Sequence, residues 1–92
     1  MSTQAVSKAF EALSDATRRK ILQLLRKKSM TAGQIATYFP ISKPSLSHHF
    51  AVLKSANLIQ PERDGQQIYY HLNSTVFYQI MSNFLDKFGG ES

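Results

Sequence analysis

Apolar side chains recur at helical spacing through the first third of the chain. Two segments, residues 5–14 and 16–28, each place apolar side chains three and four positions apart. Because residues at this spacing share one face of a helix, the pattern predicts two amphipathic helices. Asp15 lies between them and can cap the second helix by accepting a hydrogen bond from its first turn.

Capping signals predict two further helices. Thr31 and Gln34 have the spacing of a capping box, and the helix that follows is expected to run to about Tyr38. Pro40 interrupts this helix, and Ser42 can cap a fourth one. Two capped helices joined by a short turn form a helix-turn-helix.

The fourth helix has an apolar and a polar face. Its large apolar side chains fall at i, i+4 and i+7 and are predicted to face the core. The other side carries short polar and basic groups near the helix N-terminus, where backbone N–H groups also favour a phosphate. A helix that reads DNA presents this mixture to base edges and phosphates. The candidate DNA contacts are Lys43, Ser45, Ser47 and His48.

Two adjacent histidines, His48 and His49, follow one another on this helix. They point about 100° apart, so they cannot easily share one metal ion. His48 leans toward the polar face and can donate to a base or a phosphate. His49 leans toward the core and is predicted to be a partly buried, hydrogen-bonded imidazole.

The residues after the fourth helix predict a β-hairpin. The dipeptide Asp64-Gly65 is a two-residue turn signal, because both residues can take a positive φ. A turn there places Arg63 opposite Gln66 at the tip, where Arg63 can enter a minor groove or contact the DNA backbone. A solvated tip arginine is an equally good interpretation. The same register pairs Pro61 with Ile68 and Ile59 with Tyr70.

The last helix is predicted from about Thr75 to Phe88, with Asn73 or Ser74 as its cap. Its apolar stripe is wider than one contact with its own core requires, and small domains gain from additional burial. We therefore expect part of the stripe to pack against a second copy of the chain. The interface residues predicted on this helix are Phe77, Ile80, Met81, Phe84 and Phe88.

The distribution of charge is more informative than its total. The chain has a formal net charge of +5, and residues 16–61 contain eight basic side chains and no acidic one. Lys and Arg that neutralise phosphates release condensed counterions, so this block favours a polyanionic partner. Charge alone is weak support, and it favours DNA binding here only together with the helix-turn-helix.

Three basic residues near the start of the second helix, Arg18, Arg19 and Lys20, point in successive directions around it. At most two of them can face DNA, and Arg18 is included among the candidate contacts. An ion pair with Asp15 or Glu11 is the alternative for the third.

Three segments of the chain resemble the ArsR/SmtB family of dimeric bacterial repressors, and within it the autorepressor branch. They are SDATRRKILQLL, SKPSLSHHFAVLKSANLI and ERDGQQIYYHL, and the resemblance covers nearly the whole length. It implies a mainly α fold with a β-hairpin, a winged helix-turn-helix with the order α-α-α-α-β-β-α. It also implies a homodimer that represses by binding an inverted-repeat operator.

The family's functional positions carry over to this chain residue by residue. The DNA-reading positions fall on Lys43, Pro44, Ser47 and His48, with the wing contact on Arg63 or Gln66. The resemblance also implies that the terminal helices form the dimer interface, which adds Val6 and Phe10.

Departures from the family argue against metal sensing. Metal-sensing relatives carry a C-x-C thiolate pair at the start of the third helix, where this chain has Thr31 and Gly33. Relatives with a metal site on the last helix place Asp, His and Glu there, whereas this helix offers Asp86 and no His. Soft metal ions require such clusters. We therefore expect no metal and no cofactor. Separately, Thr31 is included as a candidate DNA contact.

These patterns predict a cytoplasmic transcriptional repressor, a single domain over residues 1–92 that binds double-stranded operator DNA as a homodimer. The alternatives are a metal- or small-ligand-responsive sensor and a protein-interaction module. What relieves repression stays open between a protein partner, a small molecule in the dimer cleft and self-limited expression.

An enzyme and a membrane protein are both disfavoured. The chain has no cysteine nucleophile, no carboxylate pair within one element and no phosphate-binding glycine loop. No apolar run approaches the roughly 18–20 residues that a membrane span needs, so membrane insertion is not expected. The N-terminal segment lacks the apolar stretch of a signal peptide.

Overall fold

The computed structural model describes residues 3–88, with side chains described for residues 3–86. Its element order confirms the mainly α fold with a β-hairpin and adds one short strand after the second helix. The elements are α1 (Thr3–Leu13), α2 (Ala16–Lys27), β1 (Met30–Thr31), α3 (Ala32–Ala36), α4 (Lys43–Ser55), β2 (Ile59–Asp64), β3 (Gln67–Leu72) and α5 (Ser74–Phe88).

The predicted helix caps are present. In each case a side-chain oxygen accepts the backbone N–H three residues later, which satisfies a donor that the first turn leaves free. The helix α3 ends at Ala36, two residues before the predicted end. The capping bonds join Arg18 N to Asp15 Oδ2 at 3.0 Å, Gln34 N to Thr31 Oγ1 at 3.1 Å, Ser45 N to Ser42 Oγ at 3.2 Å and Val76 N to Asn73 Oδ1 at 3.3 Å.

The inner face of α4 is fixed in the core. Leu46, Phe50 and Leu53 are buried as predicted. The ring of Phe50 also stacks on Tyr70 of β3, with centroids 5.1 Å apart and planes 14° from parallel. Because helix and hairpin share this contact, the outer face of α4 and the hairpin are held in a fixed relation to one another.

The three strands form one antiparallel sheet in the order β1-β3-β2. Its turn is Gly65-Gln66, and Asp64 belongs to the strand, where it pairs with Gln67. Gly65 has a φ of +66°. A glycine with positive φ at the first of two turn positions is the pattern of a type II′ turn, which matches the twist of the flanking strands.

The predicted hairpin register is therefore wrong by two residues. Arg63 pairs with Ile68, not with Gln66, and Ile59 pairs with Leu72. The prediction assumed that both Asp64 and Gly65 form the turn, whereas only the glycine takes a positive φ. Since side chains alternate with a period of two, the shift leaves every residue on its predicted face. Pro61 pairs with Tyr70, not with Ile68.

Replacing Asp15 with alanine is expected to lower the free energy of unfolding by about 1 kcal/mol at neutral pH, because it removes the cap of α2. The N–H that Arg18 donates holds the pKa of this carboxyl below its ordinary value of 3.8. The stabilisation is therefore present above that value and is lost as the pH falls through the lower pKa of the folded state. Denaturation curves at pH 7 and in acid measure both effects.

Asp15→Asn is the control, since asparagine caps helices about as well as aspartate. It should lose less stability than Asp15→Ala at neutral pH. An Asp15→Ala penalty that is the same at neutral and acid pH contradicts a role for the charged carboxylate.

Candidate nucleic-acid interface

The N-terminal half of α4 presents an exposed and mostly polar surface. Lys43, Pro44, Ser45, Ser47 and His48 are all exposed. Within residues 3–86, no side-chain hydrogen bond or ion pair involves Lys43, Ser47 or His48. Their polar groups are therefore available to a ligand, and the buried side of the same helix keeps them in place.

The hairpin carries a second basic group on the side of α4. Arg63 is exposed and pairs with Ile68, two positions from the pair between Pro61 and Tyr70. Residues two apart in a strand lie on the same face, so Arg63 shares the hairpin face of the Tyr70 ring that packs on α4. The acidic neighbours of Arg63 in the strand lie on the opposite face. Gln66 is also exposed and forms part of the turn itself.

Arg18 is not part of this surface, and its prediction as a DNA contact is wrong. Its exposed fraction is 8%, and its Nε and Nη2 atoms donate to the carbonyl oxygens of Ala12 and Glu11, each at 2.9 Å. The Nη1 atom lies 3.1 Å from Nδ1 of His49. The guanidinium thus contacts backbone carbonyls and an imidazole, and it forms no ion pair with the side chain of Asp15 or Glu11.

The position of Arg18 in the sequence explains its burial. Arg18 precedes three buried apolar residues of α2, Ile21, Leu22 and Leu25, at i+3, i+4 and i+7. It therefore lies on the apolar stripe of the helix, a signal that its charge conceals. The prediction that His49 is a partly buried, hydrogen-bonded imidazole is confirmed by its contact with Arg18.

Part of the basic block also lies away from α4. Arg19 and Arg26 line a cavity of about 380 Å³ that is bounded by Phe77 and Met81 of α5. The side chain of Arg19 donates to the carbonyl of Leu13 at 2.7 Å. The eight basic residues therefore overstate the positive charge that a ligand on α4 meets.

Thr31 has a structural role at the start of α3. Its hydroxyl accepts the Gln34 N–H at 3.1 Å, and its own N–H donates to Gln34 Oε1 at 2.9 Å, which completes the capping box. Thr31 also pairs with Tyr69 in the sheet. Its contact with DNA stays a prediction.

The described part of the chain offers no metal cluster. Among its His, Asp and Glu side chains no group of three comes close enough together to hold a metal ion. Likewise, none of its helices combines the length and the apolar character needed to cross a membrane.

The terminal helices share an exposed apolar surface. Phe10 of α1 and Phe84 of α5 are 36% and 43% exposed, and their rings meet edge to face with centroids 5.8 Å apart. Leu85, which follows Phe84 in the sequence, is 59% exposed. We call Phe10, Phe84 and Leu85 the terminal-helix patch.

The other predicted interface residues differ in their burial. Ile80 is 1% exposed and belongs to the core of its own chain, so its prediction as an interface residue is wrong. Ile80 faces inward because one side of the wide apolar stripe of α5 packs against the core of the same chain. Val6, Phe77 and Met81 are half-buried. The side chain of Phe88 lies outside the described residues.

Comparisons with known proteins agree with this architecture. The family model described as "Bacterial regulatory protein, arsR family" matches residues 15–60. The transcriptional repressor SdpR of Bacillus subtilis is 53% identical and covers 89% of this chain and 94% of its own length. An arsenical resistance operon repressor of Staphylococcus aureus is 34% identical and covers 90% of this chain and 80% of its own.

A solved structure is similar in both sequence and fold. It is the homodimeric winged helix-turn-helix DNA-binding domain of Mb0332 from Mycobacterium bovis, a possible ArsR-family transcriptional regulator. It superimposes with a TM-score of 0.74 at 25% identity and covers 91% of this chain and 79% of its own. With its helix-turn-helix followed by a hairpin wing, the chain belongs to the arsR family of bacterial regulatory proteins.

Proposed function

We propose that this protein is a transcriptional repressor that binds an inverted-repeat operator as a homodimer. The observation that carries the proposal is the outer face of α4. There Lys43, Ser47 and His48 are exposed and make no side-chain hydrogen bond or ion pair within the described residues, while the inner face is buried. Short polar groups suit base edges, and a lysine suits a phosphate. The repressors named among its relatives support the same function.

The terminal-helix patch supports the homodimer. Exposed aromatic and aliphatic side chains that are contiguous across two helices are typical of a protein interface. A two-fold axis through this patch relates two copies of α4. Recognition helices about 34 Å apart meet successive major grooves of B-DNA, which is why the operator is an inverted repeat.

The proposal extends to the setting of the protein. It includes a single DNA-binding and dimerisation domain over residues 1–92, action in the cytoplasm and a protein partner that relieves repression. Tyr38 and Tyr78 support such a partner, because they are 52% and 66% exposed and tyrosine is enriched in protein interfaces.

A salt titration of operator binding tests the proposal. A palindromic fragment found by footprinting should bind two chains, and its affinity should fall steeply with salt, by about 0.9 in the log–log slope for each phosphate neutralised. Replacing Lys43 with alanine should weaken binding and reduce that slope by about 1. Fluorescence anisotropy across a range of salt concentrations measures both quantities.

Lys28→Ala is the matched control, since it removes the same charge from the exposed C-terminal end of α2, beside residues of α5. It should leave the slope nearly unchanged. A flat salt response, equal slopes for the two variants, or binding by a single chain contradicts the proposal.

A further inference from the structure

The guanidinium of Arg18 joins three helices. It extends from α2, donates to the carbonyls of Glu11 and Ala12 in the last turn of α1 and reaches His49 in the middle of α4. Carbonyls in the last turn of a helix have no partner within it, and a cation there also suits the helix dipole. Two of the three contacts thus fix Arg18 to the end of α1, and the third ties α4 to it.

We propose that Arg18 and His49 are positioning residues that hold the recognition helix α4 against α1, through a hydrogen bond that exists only while His49 is neutral. This inference rests on the proposed function, because its consequence is operator affinity that depends on the protonation of one histidine.

The direction of the hydrogen bond follows from the chemistry of the two groups. Arginine stays protonated and offers only donors, so the contact of 3.1 Å needs a lone pair on Nδ1 of His49. The imidazole must then be neutral and carry its proton on Nε2. A proton added to Nδ1 removes the acceptor and places a second positive charge beside the guanidinium.

The protonated ring has another partner within reach. Oδ2 of Asp15 lies 3.8 Å from the same Nδ1 and can accept from it. Three charged or titratable side chains of the described residues face the ring: Arg18 and Asp15 from the start of α2, and His48 from α4 itself. Protonation of His49 therefore replaces its hydrogen bond to Arg18 with one to Asp15. Helix α4 is then no longer bonded, through Arg18, to the end of α1.

The hydrogen bond between Arg18 and His49 is important because the two helices that it connects bear different functional surfaces. Helix α1 bears Phe10 of the terminal-helix patch, whereas α4 bears His48 of the DNA surface. Binding groups must be held within about 0.5 Å of their productive position. A bond between the end of α1 and α4 thus couples the dimer geometry to the face that reads DNA.

His49→Asn is the test variant. Its Oδ1 stands at the same place along the side chain as Nδ1, so it can accept from Arg18 at every pH. Operator affinity is measured for both proteins at about pH 8 and about pH 5.5, the range over which histidine changes its charge. The wild type should lose about five-fold or more affinity relative to His49→Asn on acidification, the lower end of typical coupling between sites.

The control is His71→Asn, which removes a histidine of the hairpin that lies 3.9 Å from Glu62 and outside the Arg18 contact. Its affinity should follow the wild type across the same pH range. An affinity ratio between wild type and His49→Asn that is constant with pH overturns the inference.

Nitrogen NMR of the His49 ring separates this inference from the proposed function, because it needs no DNA. At pH 8 the ring should be neutral with its proton on Nε2, and a proton on Nδ1 overturns the inference. Failure of the wild type to bind any palindromic fragment at pH 8 contradicts the proposed function instead.

Discussion

Replacing Phe50 with alanine is expected to lower the free energy of unfolding by about 3–5 kcal/mol. Phe50 is 6% exposed, and its ring packs between the helical core and Tyr70 of the sheet. Alanine leaves a cavity at the contact between α4 and the hairpin. Domains of this size have a total stability of about 5–15 kcal/mol, so this is a large share of it. Urea denaturation followed by circular dichroism measures the change.

His48→Ala serves as the control, since it changes the same helix two residues earlier on the exposed side. Its free energy of unfolding should stay within about 0.5 kcal/mol of the wild type. A loss below about 1 kcal/mol for Phe50→Ala, far under the range for buried aromatic residues, contradicts the role of Phe50 in fixing α4.

Operator binding is the measurement in which His48→Ala is expected to show a large effect. His48→Ala is expected to weaken binding by about 1–3 kcal/mol, the usual value of a good base contact, while the protein remains folded. The reason is that the His48 ring is exposed in the same N-terminal half of α4 as Lys43 and Ser47 and has no hydrogen-bond partner within residues 3–86. A gel-shift titration of the operator measures the change.

Ser55→Ala is a matched control for this measurement. It truncates another exposed polar residue of α4, at the C-terminal end of the helix. Its operator affinity should equal that of the wild type. An unaltered affinity of His48→Ala removes His48 from the DNA surface.

Features that depend on near neighbours could be predicted from the sequence. The helix caps at Asp15, Thr31 and Ser42 each join residues three positions apart, so their signal lies within one turn. The inner face of α4 was predicted for the same reason, because Leu46 and Phe50 follow the helical period. The exposed candidates Lys43, Ser45, Ser47 and His48 follow from that face by elimination.

Features that depend on distant residues could not be predicted from the sequence. Arg18 reaches carbonyls six and seven residues back and an imidazole 31 residues ahead. A charged residue is ordinarily placed outside. The helical period puts Arg18 on the apolar stripe of α2, but it does not show the distant carbonyls and imidazole that accept its hydrogen bonds there. The hairpin register likewise depended on whether Asp64 or Gln66 joins Gly65 in the turn. Both choices satisfy the alternation of faces, so the pattern could not distinguish them.

The short strand β1 was missed for another reason. It contains two residues, Met30 and Thr31, and two residues are too few to show an alternation. Thr31 also belongs to the capping box of α3, so the local signal pointed to a helix start alone. The pairing with Tyr69 and Tyr70 becomes visible only when the hairpin folds back across the chain.

That pairing divides the wing into two mechanical parts. At Tyr69 and Tyr70 the central strand is bonded on both sides, whereas at Gln67 and Ile68 it is bonded to β2 alone. The base of the hairpin is therefore held by strands on both sides, and its tip end is held by the pairing of β2 with β3 alone. Each residue pair added at the tip end would lengthen the reach of the hairpin by about 3.4 Å without disturbing its base. How far the protein extends along a groove can therefore change while the core that sets its orientation stays the same.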